Sequence, residues 1–86
     1  MTFTVTWKPS AIEALATLWL DSARRDSVSK AADEIDGLLR ERPLGVGEPA
    51  LLNSRILICL PLAVVYDVQV DDRLVQVLMV AAVPGE

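Results

Sequence analysis

The sequence predicts an α+β domain built as an N-terminal strand, a two-helix hairpin and then a three-stranded antiparallel meander (β-α-α-β-β-β), with the helices packed on one sheet face. Three observations carry this. Thr2–Trp7 alternates polar and apolar residues, the period of a half-buried strand. The stretch from Ser10 to Arg42 carries apolar residues at helical spacing, interrupted once. Arg55 to Val83 holds three apolar, β-branched runs divided by a Pro-Leu corner and an Asp-Asp corner. A single sheet covered by a helical hairpin is the simplest way to bury all of these stripes at once.

In the first strand, Phe3, Val5 and Trp7 share one face and three threonines the other. Lys8-Pro9-Ser10 breaks it, and either Pro9 or Ser10 suits a helix start, because proline is tolerated in the first turn and serine can cap. The first helix is expected from about Ser10 to Ala23, with Ile12, Leu15, Ala16, Leu18 and Trp19 as its stripe. Trp7 and Trp19 are expected to anchor the core. Asp26 or Ser27 is expected to cap a second helix reaching about Arg42. There Val28, Ala31, Ala32, Ile35, Leu38 and Leu39 form the buried face, and Lys30, Asp33, Glu34, Asp36 and Arg40 a solvated one. Pro43 ends it. Leu44–Pro49, with two glycines and a proline in six residues, is expected to lack regular structure. Gly45 and Gly47 do not make a phosphate loop, since no Lys-Ser, Lys-Thr or helix follows. The runs 55–60, 61–70 and 74–83 are the meander. The last is apolar on both faces except at Gln76, so it should be central or covered.

Composition narrows the function. The chain has 86 residues, enough for one domain spanning 1–86. Its apolar fraction is 52% and its mean hydropathy +0.39, more apolar surface than one small core easily hides, so a partner is expected to cover part of it. Eight basic and twelve acidic residues leave a net charge of −4. Residues 44–86 hold two cations, Arg55 and Arg73, against five acids. This balance argues against direct nucleic-acid binding, which relies on basic patches. The absence of histidine excludes Ser-His and Cys-His pairs and an ordinary zinc site, and no cofactor or metal is expected. Cys59 is the single cysteine, within an apolar run; it is expected to be a buried, inert thiol. Met1–Val5 lacks the features of a signal peptide, and the apolar runs fall short of the ~20 residues of a membrane helix. A cytoplasmic protein with no membrane role is the expectation.

Few residues on the meander bear chemistry. Arg55, Tyr66 and Arg73 are the candidate catalytic groups. Arg55, Lys8, Leu57, Leu78 and Val80 are the candidate partner contacts. Each has a plainer reading: Arg55 as a strand-edge charge, Tyr66 as a core tyrosine with a bonded hydroxyl, Arg73 as a turn residue. Lys8 reaches the sheet end that holds Arg73 only if strand order allows.

The chain also resembles the RelE/ParE superfamily of type II toxin–antitoxin toxins. The resemblance lies in Val5-Thr-Trp7-Lys-Pro9-Ser-Ala11 leading into the first helix, in Ala32-Asp-Glu-Ile35-Asp36-Gly-Leu38-Leu39 followed by Pro43-Leu-Gly45, and in Arg55-Ile-Leu, Pro61-Leu62-Ala-Val-Val-Tyr66-Asp-Val and Asp71-Asp-Arg73-Leu-Val-Gln-Val. It covers nearly the whole chain. It implies a small bacterial protein, of a kind tied to plasmid stabilisation, neutralised by a cognate antitoxin that wraps it with extended and helical segments. DNA gyrase or the ribosome would be its target, and a homo-oligomer is compatible with it. In the RNA-cleaving branch, basic side chains on the second strand hold the phosphate, with an arginine before the Val-x-Tyr segment and an arginine and tyrosine near the C-terminus. Here Leu57 stands two positions after Arg55, Ala63 precedes Val64-Val65-Tyr66, and the chain ends Ala81-Ala-Val-Pro-Gly-Glu86. Preorganised charges of this kind contribute on the order of 3 kcal/mol each. The resemblance therefore implies a toxin that inhibits by binding, gyrase being its favoured target, ahead of a ribosome-dependent mRNA endonuclease with a reduced site or a non-toxic relative that only binds antitoxin.

Overall fold

A computed structural model describes residues 2–84. The elements run β1 (Thr4–Trp7), α1 (Pro9–Asp21), α2 (Arg25–Glu41), β2 (Glu48–Pro49), β3 (Ser54–Cys59), β4 (Leu62–Gln69) and β5 (Leu74–Ala82). The expected order holds, with one added strand. The sheet order is β1-β5-β4-β3-β2. β5 is an interior strand between β1 and β4, but it is buried on its helix-facing side alone, since Met79 and Ala81 on the other are exposed. It pairs antiparallel with β4 and parallel with β1, so the sheet is mixed.

Pro9 occupies the start of α1 with Lys8 as N-cap, and no side chain caps the helix. α2 begins at Arg25, ahead of the expected Asp26 or Ser27 cap; the Arg24 N–H is instead taken by Ser22 Oγ at 2.9 Å. Two readings need correction. Glu48 and Pro49 do form regular structure, pairing with Ile56 and Arg55. Proline is admissible there because β2 is the outermost strand and its missing N–H leaves no ladder bond open. The first helix also turns a different face inward: Ala11 is buried and Ala14, Leu15 and Leu18 pack on the core, whereas Ile12 and Trp19 are exposed. Trp19 is thus no core anchor. Its indole N–H donates to Ser29 Oγ at 3.1 Å, and the Arg25 guanidinium stacks 4.7 Å from its ring centroid while donating to the Trp19 and Leu20 carbonyls at the helix end. α2 matches its expected stripe, with Val28, Ala31, Ile35 and Leu39 buried.

Against these helices lie Leu57, Leu62, Val64, Tyr66, Val75, Val77 and Val80. An irregularity sets the last of them. Val65 pairs with Met79 but Tyr66 pairs with Val77, leaving Leu78 as the extra residue of a bulge. The bulge swaps the alternation of β5, so that Val77 and Val80, three apart, both enter the core.

Gly47 joins the loop to β2. Its φ is +71°, and a Cβ there would stand 2.6 Å from the Ile56 carbonyl oxygen and 2.9 Å from the Tyr66 hydroxyl. Backbone on one side and a fully buried ring on the other leave no room to yield. Gly47→Ala is expected to cost about 2 kcal/mol or more, lowering the thermal midpoint by roughly 10 °C; an unchanged midpoint would show that the loop does not sit on Tyr66.

Candidate functional site

Paired residues of neighbouring strands share a face, so the register divides the sheet into two surfaces. Arg55, Leu57 and Cys59 pair with Tyr66, Val64 and Leu62 and face the helices. The opposite face is arranged in three rows beyond a row of Gln69, Leu74 and Thr4 at the β4–β5 turn end. Ser54, Asp67, Gln76 and Thr6 form the first, Ile56, Val65 and Met79 the second, and Ile58, Ala63 and Ala81 the third. The second and third rows are apolar and open: Ile58 and Met79 are each 61% exposed. Glu48, opposite Ile56, adds an exposed carboxylate, and Asp67 keeps its Oδ1 buried without a protein hydrogen-bond partner. Among the described residues these rows carry no lysine or arginine.

The candidate catalytic residues are drawn together only in part, and for a different purpose. Arg55 and Tyr66 are cross-strand neighbours on the helix-facing side. The Arg55 guanidinium donates to the Val46 carbonyl at 3.1 and 3.3 Å and to that of Gly47 at 3.2 Å. The Tyr66 hydroxyl, fully buried, lies 2.8 Å from the Pro43 carbonyl and 3.0 Å from that of Val46. It has one proton, so the two acceptors share it. Both side chains thus clamp the 43–47 loop after Pro43 breaks α2. Such carbonyls, buried and unpaired, would each cost about 1–3 kcal/mol, which explains an arginine and a tyrosine at these positions without invoking a substrate.

Arg73 lies elsewhere. It closes the β4–β5 turn with φ +50°, its N–H donating to Val70 at 3.1 Å and its carbonyl accepting from Thr4 at 2.8 Å. Lys8 is exposed at the far end of β1, its N–H on the Val77 carbonyl. Because β1 runs parallel to β5, Lys8 and Arg73 stand at opposite ends of the sheet, roughly 15 Å apart along the strand. They do not meet.

The candidate partner contacts divide similarly. Leu57 and Val80 are buried in the core, and Leu78 is half-buried at the bulge. The residues that do face outward are their neighbours Ile56, Ile58 and Met79. Apolar residues on both faces of β3 and β5 left nothing in the sequence to say which set met the helices. The helical hairpin has an open surface too: a groove of about 550 Å³ lined by Ile12, Leu15, Trp19, Leu20, Val28 and Ala32 among others. Its signal was the stripe assigned to the core.

Cys59 is half-buried beside α2. Burial first, and then the Glu34 carboxylate as hydrogen-bond acceptor and like charge, push its thiol above the ordinary value. No group of three or more metal-ligating side chains occurs among the described residues, and no helix among them is long and apolar enough to cross a membrane. The last two residues of the Ala81–Glu86 segment lie outside the described residues.

No protein-family model matches the chain, and no curated protein matches it. Solved structures share its fold. The toxin–antitoxin complex RelBE2 from Mycobacterium tuberculosis contains a chain that superposes with a TM-score of 0.80 at 20% identity, over 95% of this chain and 92% of that one. A chain of the chromosomal ParDE toxin–antitoxin system from P. aeruginosa gives 0.72 at 17% identity, over 95% and 97%. The isolated E. coli RelE toxin gives 0.66 at 14%, over 98% and 87%. The chain has the RelE/ParE fold that its sequence resemblance implied.

Two measurements test the clamp and the thiol. Tyr66→Phe is expected to cost about 1–3 kcal/mol, and a double-mutant cycle with Arg55→Met should show coupling above about 0.5 kcal/mol through the shared Val46 carbonyl. Additive losses would mean that the two donors act separately. Alkylation of Cys59 followed against pH should have its midpoint above that of a free thiol, and Glu34→Gln, which removes the charge and the carboxylate acceptor, should move it down.

Proposed function

We propose that the chain is the toxin of a type II toxin–antitoxin pair, arresting growth by binding a protein target rather than by cleaving RNA. The observation that carries this reading is the open sheet face, whose rows hold apolar, neutral polar and acidic residues and no lysine or arginine, on a fold shared at near-full coverage with toxin–antitoxin proteins. Phosphoryl chemistry needs positive charge where negative charge develops. Arg55 and Tyr66 direct their donors to backbone carbonyls of their own loop, and Arg73 sits in a distant turn. A phosphate on the open face would meet Asp67 and Glu48 instead.

DNA gyrase is the favoured target, on the strength of the family branch that inhibits by binding. The cognate antitoxin is a segment with an extended and a helical part, for which the open sheet face and the groove of the helical hairpin provide apolar seats. A bacterial, cytoplasmic setting belongs to the same reading.

Induced expression of the chain alone is expected to arrest growth, and co-expression of the adjacent reading frame to relieve it. Purified chain should inhibit gyrase supercoiling, and ribosome-bound transcripts should stay intact during arrest. Cut transcripts would establish the endonuclease instead. Arrest with unaffected gyrase would move the target elsewhere, and no arrest at all would leave only a non-toxic antitoxin-binding relative.

A further inference from the structure

The β2–β3 turn displays a feature that neither the clamp nor the open face explains. Leu51 and Leu52, at its tip, are 84% and 98% exposed. Leu52 adopts φ +58°, a left-handed conformation suited to glycine or asparagine and unfavourable for a leucine. The chain therefore carries a backbone cost and an apolar side chain in water at the same residue. The turn is nonetheless well tied. Ser54 donates from both its hydroxyl and its N–H to the Leu51 carbonyl, at 2.6 and 3.1 Å, and the Ala50 N–H bonds the Ser54 carbonyl at 2.9 Å.

The β4–β5 turn lies at the same end of the sheet, because Ser54 pairs with Asp67 next to the end of β4. Two strand spacings put the turn centres about 10 Å apart. It presents exposed Val70 beside the exposed side chains of Asp71, Asp72 and Arg73. With two carboxylates to one guanidinium in the turn, the sheet end is a convex apolar knob flanked by net negative charge. A convex knob is satisfied by a preformed concavity, which an extended or helical wrapping segment does not offer. The acids set its rim: an anionic membrane would repel them, whereas lysine or arginine would pair with them. Holding exposed leucines on a bonded turn lowers the ordering cost on association.

We propose that Leu51 and Leu52 are the anchor by which this chain seizes its target, a folded protein with an apolar pocket rimmed by cationic side chains. This rests on the toxin reading and assigns target recognition to the sheet end, apart from the surfaces open to the antitoxin. In the test, the full chain and the double variant Leu51→Ser/Leu52→Asn are each induced in cells and each purified with the product of the adjacent reading frame. Asparagine keeps the left-handed residue, so the variant should unfold at the same temperature or a few degrees higher. It should co-purify with the antitoxin as before, yet need about tenfold more inducer or above to arrest growth. Asp71→Lys/Asp72→Lys should weaken arrest in the same direction. A stable double variant that arrests growth as the parent does would overturn the proposal while leaving the toxin reading intact. Loss of antitoxin co-purification would overturn it by making the knob an antitoxin contact. Tip-dependent co-sedimentation with phosphatidylglycerol vesicles would overturn it in favour of a membrane. A parent chain that causes no arrest would overturn the toxin reading itself, and the proposal with it.

Discussion

Strand β5 carries hydrogen bonds on both edges, antiparallel to β4 and parallel to β1, and much of the molecule follows from that parallel pair. A parallel return cannot be made by a tight turn; it requires a crossover lying on one face of the sheet. Here the two helices are part of the long connection from β1 to the meander, and they cover one face. The inward apolar residues of β3, β4 and β5 are thereby committed to packing on the two helices. The opposite face is left bare, and the termini of β1 are held at opposite ends of the sheet. The separation of Lys8 from Arg73, the burial of Leu57 and the exposure of Ile58 are consequences of one pairing.

The second constraint is the loop after Pro43. Its carbonyls turn toward the sheet edge, buried at Pro43 and partly buried at Val46 and Gly47, and Arg55 and Tyr66 reach across to bond them. Gly47 lets the backbone come close enough. These residues resemble remnants of a catalytic constellation when met in sequence. In three dimensions they form a structural joint, and the donors of Arg55 and Tyr66 are directed to it. The rows of the open face then offer apolar groups, carboxylates and neutral polar groups but no cation, a surface suited to protein rather than phosphate.

Much of the architecture was legible beforehand. The alternation in Thr2–Trp7 and the stripe of α2 each carry a period that one element type satisfies, and the β-branched runs after Arg55, short and bounded by turn residues, mark strands by composition and length. The interior place of β5 followed from its apolar faces, although one of them stands open to solvent. β2 was not legible, because Gly45, Gly47 and Pro49 signal a loop and an edge strand needs only one good side. The face chosen by α1 was not legible either: Ala11, Ala14 and Leu18 make as good a stripe as Ile12, Leu15 and Trp19, and the crossing with the sheet selects between them. The bulge at Leu78 has no local signature in a run of valines and leucines.

The candidate site divides on the same line. From residue types alone, the sequence determined that histidine-based catalysis and internal disulfides are absent, that the second half is poor in cations, and that more than half of the residues are apolar. Those are properties of a list, and folding does not change them. Only the tertiary structure decided which face Arg55 and Leu57 share, what Tyr66 bonds to, and that Leu51 and Leu52 stand in solvent beside Asp71 and Asp72. Each depends on strand register and order, where a shift of one residue exchanges the two faces, and an apolar sequence on both faces holds no information about which face the helices will take.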